Sequence, residues 1–257
     1  MKLATLTCTG NRPLALALCD KYLNAQTRQP DYRIMIDDGA HPSITANVAK
    51  RYVYDRRFPL PTDPPHTLVL NMRKGLDLAE KLGVDILVMA EDDDVIFPPW
   101  LEYVEREIEK GANIVGEGHF YYYNVFHRKW LRWKNVKHAA LCATAIHKNV
   151  FPLLREMLES TDPYIDIRLW AEARQRFKWS LRKPMNNDCM VVGMKGVPGR
   201  PGQGQGHEQS WEGWSDDKDC KMLDLLLGKY AEPYKSMWKG DWHVDSNGPL
   251  LIGASNG

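Results

Sequence analysis

The chain is predicted to be an α/β protein, a mostly parallel sheet with helices on its faces, and three observations carry that prediction. Its first 118 residues alternate short apolar runs with amphipathic stretches of helical length. Glycine, proline, asparagine or aspartate marks most of the junctions between them. The chain has 257 residues and is 44% hydrophobic, enough to bury one sizeable core.

The elements follow in order. Residues 3–8 are β-prone and alternate, and "TGNRP" breaks them before a helix in "LALALCDKYLNAQ". "YRIMIDDGA" gives a second strand over 32–36, stopped by two aspartates and a glycine. The proline-rich "FPLPTDPPH" is a loop inside the domain. In "NMRKGLDLAEKLG" the apolar positions recur at helical spacing, and Gly83 supplies the stop. "DILVMA" is the next strand, "WLEYVEREIEKG" an amphipathic helix and "ANIVGEG" a further strand. Beyond Gly118 the character changes. Aromatic and basic residues over 119–147 suggest antiparallel strands, so a smaller antiparallel region is expected beside the main sheet. "KNVFPLLREMLES", "DIRLWAEARQRFKW" and "DCKMLDLLLGKYAEPY" read as helices. Residues 194–213 are too rich in glycine for a regular element. One domain over 1–257 is expected, with halves 1–118 and 119–257.

Composition narrows the function classes. A net charge of +1 gives no global field for nucleic acid or a membrane, so any basic surface is local. The five cysteines are scattered and form no CxxC pair, which argues against a zinc knuckle or a disulfide framework and fits a reducing, cytoplasmic setting. No apolar run has the length of a membrane span.

The unusual stretch is "ILVMAEDDDVIFPPW", where Glu91, Asp92, Asp93 and Asp94 stand between apolar runs. Adjacent carboxylates repel, and a dry neighbourhood removes their solvation. In an open parallel sheet, ligands bind beyond the carboxyl ends of the strands. This cluster and Asp37-Asp38 both fall at that edge. Carboxylates there suit a hard divalent ion, Mg²⁺ or Mn²⁺, which shares its oxygen ligands with phosphate. A solvated acidic turn is the alternative, more credible for Asp37-Asp38, since DDG is common turn chemistry.

The order of "LATLTCTGNRP", "YRIMIDDGA", "NMRKGLDLAEKLG" and "DILVMAEDDDVIFPPWL" resembles the nucleotide-binding half of GT-A glycosyltransferases, whose Rossmann-like sheet carries an acidic DxD-type motif. The resemblance covers about residues 2–101. It implies transfer of a sugar from a nucleotide-sugar, a UDP-sugar above all, to a hydroxyl acceptor with Mn²⁺ or Mg²⁺. Asp37 and Asp38 match the pair that contacts base and ribose, with Thr7, Thr9, Asn11 and Arg12 in the loop beside the nucleotide. Glu91 matches the first acid of the motif and Asp93 its metal-binding acid, with Asp92 or Asp94 adjacent. The register stays open, because Asp92-Asp93-Asp94 also satisfies DxD. Arg73 and Lys74 correspond to a helix that approaches the diphosphate, or are solvated helix charges.

In the second half, the glycine-rich stretch 194–213 reads as a lid, with His207 completing the metal sphere and Lys195 and Arg200 meeting phosphate charge. An inverting reaction needs a general base. Asp166, at the start of a helix, matches that chain position, although an N-cap role is equally natural. "FHRKWLRWKNVKH" interleaves basic residues with tryptophans. Lys129, Trp130, Arg132 and Trp133 are the acceptor candidates, for a glycan, a lipid-linked sugar, or hydroxymethylated pyrimidines in DNA, as in a viral DNA-base glycosyltransferase acting in a host cytoplasm. A hairpin with tryptophans inward and lysines outward is the plainer alternative. A nucleotidyltransferase and a non-catalytic sugar- or nucleic-acid-binding module are the competing functions.

Overall fold

The computed structural model describes residues 1–43, 51–60, 62–63, 67–160, 164–185, 187–200 and 211–237, and the backbone of Trp242–His243 and Leu251–Ile252. The first strands form as the apolar runs require: β1 (Leu3–Thr9), β2 (Tyr32–Asp37), β4 (Ile86–Met89) and β6 (Ile114–Glu117), with β3 (Val53–Arg56) added between β2 and the next helix. Helices α1 (Pro13–Asn24), α2 (Leu68–Leu82) and α3 (Trp100–Glu109) alternate with them. Pro13 opens α1 at its first position, where no backbone donor is lost. Gly83 closes α2 in the left-handed conformation at φ 67°.

A seven-stranded sheet has the order β10-β6-β9-β4-β1-β2-β3, where β9 is Thr144–His147 and β10 is Trp179–Arg182. Six strands run parallel, and β9 alone runs against its neighbours β4 and β6. The chain leaves β1 toward β2 and β3, then returns through α2 to place β4 on the other side of β1. That reversal puts a crevice at the carboxyl ends of β1 and β4. A second sheet has the order β12-β8-β7-β11-β5, formed by β5 (Val95–Ile96), β7 (His119–Asn124), β8 (Lys129–Lys134), β11 (Val191–Lys195) and β12 (Ser215–Asp216).

Two apolar cores result, and α1 lies between them. Leu16, Cys19 and Leu23 pack toward the large sheet, while Leu14, Ala15, Leu18 and Tyr22 pack into the second core. A helix with apolar residues on both faces is buried on both, which accounts for the nearly continuous "LALAL". The second core is completed by α6 (Lys221–Leu227) and α7 (Glu232–Met237), two helices where the sequence suggested one, because Gly228 interrupts them at φ 52°. Among the described residues no helix is long and apolar enough to cross a membrane.

Three expectations change. The boundary at residue 118 marks a change in composition, yet β9 and β10 return to the large sheet and β5 belongs to the second. The glycine-rich stretch expected from Met194 begins later, since Met194 and Lys195 are the last residues of β11. Strand β10 also takes Trp179 from the end of the helix expected there; α5 (Ile165–Arg176) stops before it. The helix before it, α4 (Phe151–Met157), falls where expected.

Gly116 lies in β6 where a Cβ would stand 2.5 Å from both Ala139 Cβ and Trp170 Cζ2. Trp170 cannot easily yield, because it is fully buried and donates to Thr144 Oγ1 at 2.9 Å. Gly116→Ala is expected to destabilise the protein by about 1–3 kcal/mol through overpacking. Urea unfolding of the variant measures this, and unchanged stability would show that the contact is slack.

Candidate functional site

The site grows from the junction of β1, β4 and α1. Strand β4 ends at Met89, and Glu91 to Asp94 follow in a turn that leads directly into β5. Asp92, Asp93 and Asp94 are all buried. The buried cluster is held by groups brought from three other places in the chain. Thr9, the last residue of β1, donates from Oγ1 to Asp92 Oδ2 at 2.7 Å. Arg12, the N-cap of α1, forks across two acids: Nη1 donates to Asp92 Oδ1 at 2.7 Å and Nη2 to Asp93 Oδ2 at 2.6 Å. This two-pronged geometry is what a guanidinium offers and an ammonium does not. Lys195, at the end of β11, places Nζ 3.7 Å from Asp94 Oδ1, which also accepts the Met194 backbone N–H at 2.8 Å.

Burial pushes Asp92 and Asp94 each up to about 6; Arg12 counters this for Asp92 and Lys195 for Asp94, while the neighbouring acids add to the rise. Glu91 is raised well above the usual carboxylate range, by burial first, then by Asp94, with Asp93 and Asp166 adding to the shift. Lys195 is opposite in sign. Burial lowers its pKa, but Asp94, Asp93 and Glu91 outweigh that and hold it firmly charged. Four carboxylates facing two cations leave two negative charges to be met by protons or by a further cation.

Asp94 Oδ2 is buried and, among the described residues, has no hydrogen-bond partner beyond the weak thiol of Cys142. Ligand atoms of Glu91, Asp94 and Cys142 lie within 4.8 Å of one another. The two carboxylates suit a hard divalent ion, whereas a thiol is a soft donor. Cys142 is also held protonated by burial and by Asp94 and Glu91, so it fits as a wall of the site rather than as a ligand.

Beside the acids lies a second buried carboxylate. Asp38 accepts from Thr67 Oγ1, from Arg57 Nη2 at 3.3 Å and pairs with Arg200 Nη2 at 2.7 Å. Burial would raise its pKa, but Thr67, Arg200 and Asn71 together hold it below the ordinary value. Gly10 permits this approach, since a Cβ there would fall 2.3 Å from Asp38 Oδ1. The loop carrying Gly10 is tied to the next by Asn11 Oδ1, which accepts from Ala40 N at 3.0 Å.

The residues singled out in the sequence therefore divide. Thr9, Arg12, Asp38, Glu91, Asp92, Asp93 and Asp94 converge on the crevice. Arg12 was expected to face the nucleotide and instead binds the acids. Asp37 closes its own loop by accepting from Gly39 N, Ser43 N, Ser43 Oγ and Tyr54 OH. Thr7 is buried in β1, with Oγ1 4.0 Å from Cys19 Sγ. Arg73 donates to the Leu158 carbonyl, and Lys74 binds the Arg56 carbonyl at 2.6 Å and Asp55 at 2.9 Å. On the same helix it is Asn71, two positions earlier, that reaches Asp38. Asp166 stands in the first turn of α5, and its charge is felt by both Glu91 and His138. His207 lies outside the described residues.

The hairpin candidates do not share a face. Strand alternation puts Lys129 and Trp133 on one side of β8 and Trp130 and Arg132 on the other. Trp130 packs on Tyr121 at 5.9 Å, Trp133 on the main core, and Arg132 donates to the Met185 carbonyl at 2.6 Å. Lys129 pairs with Asp216. One surface formed by all four, as the sequence suggested, is excluded by the pleat.

No family model matches the chain, and no curated protein matches it in sequence. Solved structures do. The structure of S. aureus TarS 1–349 is similar at a TM-score of 0.52 and 12% identity, over 76% of this chain and 60% of that one. A second S. aureus TarS structure gives 0.51 and 14%, over 76% of this chain and 37% of that one. The mixed α/β fold, a mostly parallel central sheet with flanking helices, is similar to that of these structures. A197 from STIV is also similar, at a TM-score of 0.40 and 17% identity over 71% of this chain and 82% of that one. The chain spans less than two thirds of either TarS chain, and at these identities the likeness establishes the fold alone.

Removing Arg12 tests the charge balance. In Arg12→Met the folded-state pKa of Asp92 rises above about 6, while the unfolded value stays near the ordinary 3.8. The folded state then holds protons that the unfolded state releases, so stability falls as pH rises through that window. The variant is expected to lose about 3–5 kcal/mol at pH 8 and clearly less at pH 5, read by urea unfolding. An equal loss at both pH values would mean that Arg12 acts through packing.

Proposed function

We propose that the chain is a metal-assisted glycosyltransferase that moves a sugar from a nucleoside-diphosphate sugar to a hydroxyl acceptor. The observation that carries this reading is the buried acid set at the topological switch point, whose four carboxylates outnumber their two cations, Arg12 and Lys195. That set lies in a fold shared with glycosyltransferase structures.

Each residue has a role in the reading. Glu91, Asp93 and Asp94 would hold Mn²⁺ or Mg²⁺, and His207 is kept from the sequence as a nitrogen ligand. The ion would supply charge neutralisation for the departing diphosphate. Asp92 is committed to Thr9 and Arg12, so it orients the loop rather than the ligand. Asp38, with Asn71 and Thr67, offers a carboxylate, an amide and a hydroxyl to the ribose and base of UDP. Arg200 and Arg57, both beside Asp38, supply positive charge on the same side of the crevice. Asp166 is the base candidate, because it lies near enough to perturb Glu91 and stands partly open to solvent. Transfer to DNA drew on Lys129, Trp130, Arg132 and Trp133 as one surface. With that surface divided, the acceptor class is left as a hydroxyl.

Calorimetric titration of UDP with Mn²⁺ and with a chelator tests the reading. UDP affinity is expected to drop by about tenfold or more without the ion, a difference of ~1.4 kcal/mol. Asp93→Ala and Asp94→Asn should remove the ion's effect. Equal UDP affinity under both conditions would defeat the proposal. The ion's own affinity should rise between pH 5 and pH 7, because Asp94, raised to about 6, must lose its proton to bind. Proton release on Mn²⁺ binding, measured in two buffers of different ionisation enthalpy, reports that step. Formation of UDP from a UDP-sugar, with no pyrophosphate formed from UTP and a sugar 1-phosphate, separates this reaction from nucleotidyl transfer.

A further inference from the structure

A run of aromatic rings leads from the acid cluster to the surface. It begins at Tyr122 in β7, whose ring lies 5.3 Å below Lys195 Nζ. Tyr122 lies flat across the neighbouring strand because its partner there is Gly193, where a Cβ would stand 2.4 Å from Tyr122 Cδ1. Trp214 stacks on Tyr122 with centroids 6.5 Å apart and planes at 24°. Trp211 meets Trp214 edge to face at 5.4 Å, and His127 follows Trp211 at 4.6 Å. Phe126 ends the run against His127 at 5.0 Å and is 69% exposed.

The two indoles owe their placement to a turn. Trp214 N donates to the Trp211 carbonyl at 3.1 Å, and Gly213 takes φ 77°, a value that favours glycine. The turn lies over the face of the hairpin that carries Tyr122, Leu131 and Lys129, with Lys129 Nζ 5.8 Å above the Trp211 ring. Both tryptophans are half-buried, and Glu212, Gly213, Ser215 and Asp216 around them are exposed. An apolar core would enclose such rings. Here they are left partly open, in a polar rim, beside the groups assigned to the reaction.

We propose that Trp211 and Trp214, with Tyr122 beneath them, form a platform that binds a neutral saccharide acceptor. The link to catalysis rests on the glycosyltransferase reading. The platform itself uses none of the donor-side residues. The C–H face of a pyranose ring carries a weak positive charge that meets the negative face of an aromatic ring, while its hydroxyls seek polar partners at the edge. Asp216, Glu212 and Lys129 supply such an edge.

The charges favour a saccharide over nucleic acid. A phosphodiester chain is held by cations that are not already neutralised. Lys129 is neutralised by its pairing with Asp216, and Glu212 adds negative charge to the rim. Arg132 is on the opposite face of the hairpin and is bound to carbonyl groups.

The test screens the whole protein on an array of immobilised neutral glycans and on duplex DNA containing hydroxymethylated pyrimidines. Calorimetry then measures the best-retained glycan against wild type, Trp211→Ala and Trp214→Ala. The expected result is glycan binding with little salt dependence, weakened about tenfold or more by either substitution, the size expected for one lost stacking partner. Thermal melting and UDP–Mn²⁺ titration of the same variants report the fold and the donor site separately. Gly193→Val, which displaces Tyr122 without touching either indole, is expected to weaken glycan binding as well. No retained glycan, or unchanged affinity in both tryptophan variants, overturns the proposal. So does DNA binding that falls steeply with salt and is weakened by the same substitutions. Absence of UDP binding in wild type would remove the glycosyltransferase reading while leaving the array result to decide the platform.

Discussion

Four carboxylates in consecutive positions, three of them fully withdrawn from water, set the terms for the rest of the molecule. Two like charges 4 Å apart repel by about 4 kcal/mol at the dielectric typical of protein sites, so the cluster cannot exist ionised without cations close by. Arg12 and Lys195 are those cations, and the topology is arranged to deliver them. Arg12 is delivered because α1 begins where β1 ends, at the same edge as the acids. Lys195 arrives only because β11 pairs antiparallel with the two-residue strand that follows Asp94. The second sheet is thus joined to the first through the charge requirement of a single turn. Asp94 is the link, holding Met194 by its backbone and Lys195 by its charge.

The large sheet was readable wherever a strand is buried on both faces. Its apolar runs at β1, β2, β4 and β6 have no competing explanation, and proline, glycine and aspartate mark their ends. Strand β3 was not readable because "VYDR" is half-buried and its polar residues alternate weakly. Strand β5 has two residues and owes its existence to a partner almost a hundred positions away, which no local pattern reports. Strand β11 was missed, because Gly193 and the glycines beyond it merged its end with the following loop. Gly193 is in fact a strand residue whose missing side chain makes room for Tyr122.

The site shows the same division. The acids announced themselves, because four of them between apolar runs have few structural explanations. Their partners did not. Arg12 read as one more polar residue in a loop, and nothing local says that its two nitrogens bridge successive aspartates. Asn71 was hidden by the more conspicuous Arg73 and Lys74, although two positions along a helix carry a side chain to nearly the opposite face, away from Arg73. In the hairpin, the sequence drew attention to density of charge and indole, whereas the pleat sorts residues by parity. Trp130 and Trp133 differ by three and so face apart. Trp211 and Trp214 also differ by three, but they flank a turn, and so face together.

Helix α1 has a consequence for how such a protein drifts. Only Pro13, Lys21 and Asn24 of its twelve residues are exposed, whereas an ordinary surface helix offers a whole stripe. Neutral change in α1 is confined to those three positions. A methyl group gained or lost on either buried face displaces the rod as a whole, and Arg12 sits at its tip. Repair of such a change has two places to come from, since a void opened toward the large sheet can be refilled from the second core. Lineages of this chain would then inherit paired volume changes across α1, in side chains that never touch each other.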